Sequence, residues 1–148
     1  MRISSHKMYV GEFKEGKCSG KSIIIFKNGN IYEGMMNNNK RDGKGYYLQS
    51  GIGWFKGTFI NDLKTDQGIE VTFKKWAFSG LFLNGLRHDK GLYVEKGGIV
   101  YHGQWKLGIM HGKGVLKTGQ YTYHGMLVNS LKHGQGEERF TNGDIYKG

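Results

Sequence analysis

Tyr101-His102-Gly103-Gln104-Trp105-Lys106-Leu107-Gly108-Ile109-Met110-His111-Gly112-Lys113-Gly114 sets an aromatic residue, a glycine and a second aromatic at alternate positions, then a glycine-bearing turn and a Gly-x-Gly pair. Alternation with period two puts Tyr101, Gly103 and Trp105 on one face of a β-strand. The same aromatic-x-Gly pair begins at Tyr9, Tyr32, Phe55, Phe78, Tyr101, Tyr123 and Tyr146, at spacings of 23, 23, 23, 23, 22 and 23 residues. A fixed period shorter than a domain means a fold built by stacking copies, so function is sought in the array and not in one copy.

Counting each aromatic as position 1, the fifth position holds Phe13, Met36, Phe59, Phe82, Trp105 and Leu127. Glycine between two large groups weakens a strand but lets neighbouring rings lie against bare backbone. The eighth position reads Gly16, Asn39, Asp62, Gly85, Gly108 and Ser130, and the twelfth Gly20, Gly43, Asp66, Asp89, Gly112 and Gly134. Most substitutes for glycine there are Asn or Asp, which tolerate a left-handed backbone, so both positions are expected within the turn. A second strand follows, with Ile23/Ile25, Tyr46/Leu48, Ile69/Val71, Leu92/Val94 and Val115/Lys117 on one face and a break at Glu137/Arg139. Turns such as Asn28-Gly29-Asn30 and Asn142-Gly143-Asp144 return the chain, so each copy reads as one β-hairpin.

The sequence has 148 residues, 26 glycines, no proline, and 22 Lys and Arg against 12 Asp and Glu, a formal charge of +10. That balance favours anionic partners without choosing among lipid, acidic protein and nucleic acid. One cysteine, Cys18, leaves no internal disulfide and fits a reducing compartment; the start MRISSHKM has no apolar signal core, and no run reaches the roughly 20 apolar residues of a membrane span. A cytoplasmic location is expected.

From Tyr9 to Gly148 the residues resemble the MORN repeat (membrane occupation and recognition nexus), whose pattern is Tyr-x-Gly-x-Trp, a glycine turn, Gly-x-Gly and a closing turn near 23 residues. Repeat five is nearly ideal; Ser22, Asp66 and Asp89 replace glycines elsewhere. The resemblance implies an all-β fold, an elongated single-layer twisted antiparallel sheet of stacked hairpins, solenoid-like, with an aromatic-lined groove. Stacking two strands per repeat at ~4.8 Å gives a rod of about 60 Å independently of the resemblance. The reading divides the chain into a lead-in (1–8), six repeats (9–31, 32–54, 55–77, 78–100, 101–122, 123–145) and the start of a seventh (146–148). Tyr146 therefore leaves an open strand edge, which a longer chain or end-to-end self-association is expected to complete.

No catalytic constellation is legible. The run Gly16-Lys17-Cys18-Ser19-Gly20-Lys21-Ser22 and the frame Gly11 to Cys18 approach a phosphate-binding loop, but neither opens a helix and the repeat already explains their glycines. His88, His111 and His133 recur just before the twelfth position; equivalent positions lie roughly 10 Å apart, too far to share a zinc ion bound at about 2.0–2.1 Å. No enzyme activity, cofactor or metal is expected.

Two surfaces remain. A single-layer sheet cannot bury both faces, so the aromatic wall, Tyr32, Phe59, Phe82, Tyr101, Trp105 and Tyr123, is expected to receive a partner protein segment. Lys17, Lys40, Arg41, Lys64, Arg87, Lys113 and Lys132 are expected along one edge as an anionic contact, diluted by nearby aspartates. The first surface gives a non-catalytic scaffold in a multi-protein assembly, which the resemblance places in the cytoskeleton or the ciliary axoneme. The alternative is a membrane-surface adaptor for anionic lipids. Nucleic acid ranks third as a partner, because the basic edge lacks interleaved aromatics for stacking bases.

Overall fold

The computed structural model describes all 148 residues. It holds fourteen strands: β1 (Arg2–Ile3), β2 (Lys7–Lys14), β3 (Lys17–Phe26), β4 (Ile31–Asn37), β5 (Lys40–Gln49), β6 (Gly53–Ile60), β7 (Leu63–Thr72), β8 (Trp76–Leu83), β9 (Leu86–Glu95), β10 (Val100–Lys106), β11 (Ile109–Lys117), β12 (Tyr121–Val128), β13 (Leu131–Phe140) and β14 (Ile145–Lys147). All pair with their sequence neighbours in one antiparallel sheet that does not close into a barrel, and there is no helix. The all-β hairpin array expected from the period is the fold observed.

Inside each repeat the chain reverses in two residues, both left-handed: Glu15-Gly16, Asn38-Asn39, Asn61-Asp62, Asn84-Gly85, Leu107-Gly108 and Asn129-Ser130. Positive φ at both central residues defines the turn whose twist matches that of the flanking strands. The twelfth position is a correction to the sequence reading, because it lies in the second strand and not in the turn. Between Gly103↔Gly114 and Trp105↔Met110 the first strand advances two residues and the second four. The two extra residues form a bulge around Gly112, at φ 71, and Asp66 and Asp89 hold the same place at φ 55 and 53. Turn and bulge demand the same left-handed backbone, so they select the same residues.

Leu107 is the one strongly apolar residue among the first turn positions, at φ 50, where four other repeats carry asparagine. Its Cβ crowds the following carbonyl in that conformation, at a cost of roughly 1–2 kcal/mol that asparagine partly relieves. Leu107→Asn is expected to raise stability by about 1 kcal/mol, read as a higher denaturant midpoint at unchanged slope.

Turns of successive repeats are stitched together. The N–H at position eight donates to the carbonyl at position ten of the preceding repeat: Asp62 to Arg41 at 2.9 Å, Gly85 to Lys64 at 2.8 Å, Gly108 to Arg87 at 2.8 Å. Where the eighth residue is Asn39 or Asp62, its side chain also accepts from the backbone N–H of Cys18 (2.8 Å) or Arg41 (3.0 Å).

The glycine pairs explain the core. Gly34 faces Gly45 across the hairpin, as do Gly57 and Gly68, Gly80 and Gly91, Gly103 and Gly114, and Gly125 and Gly136. In each repeat the position-1 ring folds over its own pair, so a methyl group on either glycine would collide with Tyr32, Phe55, Phe78, Tyr101 or Tyr123. Repeat one has Ser22 opposite Gly11, and the Tyr9 hydroxyl lies 2.5 Å from Ser22 Oγ, turning the substitution into a hydrogen bond. Tyr9, Tyr32, Tyr101 and Tyr123 each donate to the backbone carbonyl three residues on, at 2.7 to 2.9 Å.

Candidate interaction faces

The position-5 residue wedges between the position-1 rings of two repeats. Phe59 meets Tyr32 at 5.6 Å and Phe55 at 5.2 Å; Phe82 meets Phe55 at 5.1 Å and Phe78 at 5.2 Å; Trp105 meets Phe78 at 5.2 Å and Tyr101 at 5.4 Å, all edge to face. The result is a continuous ladder of rings that is itself the hydrophobic core. Tyr32, Phe59, Phe82, Tyr101, Trp105 and Tyr123 are 0–4% exposed. The six residues expected to meet a partner are therefore interior, a correction with a simple cause. Large rings folded over paired glycines give one side of a single sheet enough thickness to bury itself. Burial pushes the phenols of Tyr32 and Tyr101 up to about 12.

Position ten adds a second tier over the rings. The Arg41 guanidinium sits 4.8 Å from the Phe59 ring centre, Lys64 Nζ 4.9 Å from Phe55, Arg87 4.1 Å from Trp76 and 5.2 Å from Trp105, and Lys132 3.8 Å from Tyr121. Each has a carboxylate partner: Asp62 with Arg41 (3.0 Å), Glu70 shared by Lys64 and Arg87, and Glu138 with Lys132. Burial lowers the Arg87 guanidinium from its ordinary pKa, against the opposing pull of Glu70. These four of the seven nominated cations are spent on rings and carboxylates. Lys17, Lys40 and Lys113 are exposed and make no ion pair. The seven do not form one edge, because neighbours such as Lys40 and Arg41 point to opposite faces of a strand.

The opposite face is open, and strand register organises it in rows. One row runs Met8, Ile25, Ile31, Leu48, Trp54, Val71, Ala77, Val94 and Val100 on successive strands, apolar until Lys117. A second runs Ile23, Glu33, Tyr46, Lys56, Ile69, Ser79, Leu92 and His102. Ile23, Ile25, Ile69, Leu92 and Val94 are each 38–42% exposed, large side chains that nothing covers. Over repeats one to three this face is hollowed into a groove of about 1400 Å³ lined by Ile23, Met35, Tyr46, Trp54, Lys21 and Lys44 among others. A smaller hollow of about 370 Å³ lies on the same face at Lys113, Val115 and Met126. The aliphatic pairs were legible in the sequence, but Ile31, Trp54, Ala77 and Val100 were missed. Their signal is an apolar residue one place before six of the seven aromatics, Thr122 being the exception.

No group of three or more His, Cys, Asp or Glu is placed to hold a metal ion. His88 is set apart only by a buried Nδ1 without a hydrogen-bond partner.

The family model of the MORN repeat matches residues 9–31, 32–52, 101–121 and 123–145, more than half of the chain. The two repeats between, which carry Phe55 and Phe78 for tyrosine and Asp66 and Asp89 for glycine, keep the same hairpin register. No curated protein matches the chain. Repeats of this class mediate protein or membrane interactions and are not enzymatic. The ring ladder on glycine pairs, the repeated bulge and these four matches together show that the chain belongs to the MORN-repeat family.

Proposed function

We propose that the chain is a non-catalytic scaffold that docks a segment of a partner protein on its open aliphatic face, within a larger cytoskeletal or ciliary assembly reached from the cytoplasm. The observation that carries this reading is the uncovered row from Met8 to Val100. A contiguous apolar strip on a chain of charge +10 is a surface that gains by being covered. The test uses Trp54→Glu with Val71→Glu, both half-buried on that face. Partners recovered from cells with the tagged wild-type chain are expected to fall at least tenfold, while circular dichroism and the thermal midpoint hold. Undiminished recovery overturns the reading.

The second reading is adaptation to an anionic membrane, favoured by Lys17, Lys40 and Lys113, which are exposed and make no ion pair. Such lysines contribute up to ~1 kcal/mol each near an acidic surface, screened over about 8 Å at physiological salt. Failure of phosphoinositide vesicles to retain the chain at low salt removes it.

A further inference from the structure

The open face repeats along the stack at a pitch that an α-helix can follow. Adjacent strands lie about 4.8 Å apart, so one repeat advances about 10 Å. A helix rises about 1.5 Å per residue, so roughly seven residues carry it past one repeat. Any column of equivalent residues on the face is therefore met at nearly heptad spacing by a helix laid across the strands.

One such column is basic. Lys21, Lys44, Lys90 and Lys113 occupy position 13 of repeats one, two, four and five, with Gln67 and Gln135 in the others. None of these lysines makes an ion pair. Lys21 and Lys44 line the groove beside Ile23, Met35, Tyr46 and Trp54. Glu33 and Lys56, of opposite sign, stand on either side of Tyr46 in the neighbouring row, and Asp66 lies beside Gln67, where the basic column is interrupted, so the net demand for acidic partners falls on the flank of Lys21 and Lys44 and ends at repeat three.

The groove also selects the backbone of its occupant. Every strand from β2 to β13 is paired on both sides, so its floor offers no free sheet edge. An extended segment pressed onto it would bury its own N–H and C=O groups unpaired, whereas a helix pairs them internally. A bilayer surface is too flat on this scale to fill a groove.

We propose, resting on the docking reading above, that the groove over repeats one to three takes an amphipathic helix of a partner protein running along the stack. Its apolar stripe lies on Ile23, Tyr46 and Trp54, and acidic residues seven positions apart on one flank face Lys21 and Lys44. The flank fixes the direction in which the helix lies.

The probe is a labelled peptide of about 21 residues with leucine at the i, i+3, i+4, i+7 positions and glutamate at every seventh position on one flank. Its anisotropy is titrated with the full chain and with Lys21→Glu/Lys44→Glu, two exposed positions whose replacement circular dichroism will show to be folded. The double variant is expected to bind about tenfold more weakly, rising salt to shrink the difference, and a peptide with lysine for glutamate to regain affinity for the variant. Equal affinity for both chains, equal binding of a proline-broken peptide, or capture of phosphatidylserine vesicles in place of the peptide overturns the inference. The two readings part cleanly: partner recovery that depends on Trp54 but not on Lys21 and Lys44 sinks the helical register and leaves docking standing, while recovery indifferent to Trp54 sinks docking itself.

Discussion

Phe59→Ala is expected to cost about 3 to 5 kcal/mol, the range for emptying a fully buried phenylalanine site. Phe59 is 0% exposed and touches rings of two repeats, Tyr32 at 5.6 Å and Phe55 at 5.2 Å, with the Arg41 guanidinium 4.8 Å above it. The cavity therefore opens at the seam between repeats two and three. In a stack where each repeat contacts only its neighbours, stability is a sum of repeat and interface contributions, so weakening one seam uncouples the two sides. Hydrogen exchange on the variant should show the amides of β2 to β5 losing protection first while β8 to β13 keep theirs. Uniform loss along the chain would refute that partition. Loss of a partner from this variant would report unfolding and not a missing contact, which is why the docking test uses Trp54 and Val71.

Phe59 also shows how far the sequence could be read. The 23-residue period fixed strands, hairpins and stacking order, because alternation and turn chemistry are local properties. Alternation says that the two faces of a strand differ; it does not say which is covered. That depended on the volume of Phe59, Phe82 and Trp105 against the space above glycine pairs such as Gly80 and Gly91, a property of neighbouring repeats together. The aromatic side closed over itself and the aliphatic side stayed open, the reverse of the expected assignment. Asp66 and Asp89 were legible as left-handed positions, but a turn and a strand bulge require the same φ, so spacing alone could not separate them. The apolar row through Ile31, Trp54 and Val100 depends on cross-strand register, which the bulges shift by two residues in every repeat.

Gly114→Ala is the sharpest test of why the period carries paired glycines. The added methyl would stand 2.6 Å from Tyr101 Oη and 2.7 Å from its Cζ, well inside contact distance. The ring has nowhere to go. Tyr101 is 0% exposed, its hydroxyl donates to the Gln104 carbonyl at 2.9 Å, and Trp105 packs edge-on against it at 5.4 Å. Moving the ring breaks that hydrogen bond and opens the seam to Phe78, which Trp105 also fills at 5.2 Å. Gly114 has an ordinary strand backbone, so the cost is steric and not conformational. Overpacking of this kind costs typically 1–3 kcal/mol, and with a buried hydrogen bond also lost the variant is expected at or above the top of that range, about 3 kcal/mol. The native Ser22 is the internal control, since in repeat one the Tyr9 hydroxyl lies 2.5 Å from Ser22 Oγ and the extra side chain is taken up in a hydrogen bond. Ser22→Gly should therefore shift the denaturant midpoint only slightly, and Gly114→Ala strongly. Equal, small shifts in both would mean that the rings do not need bare backbone beneath them, and the account of this core given by its glycine pairs would fall.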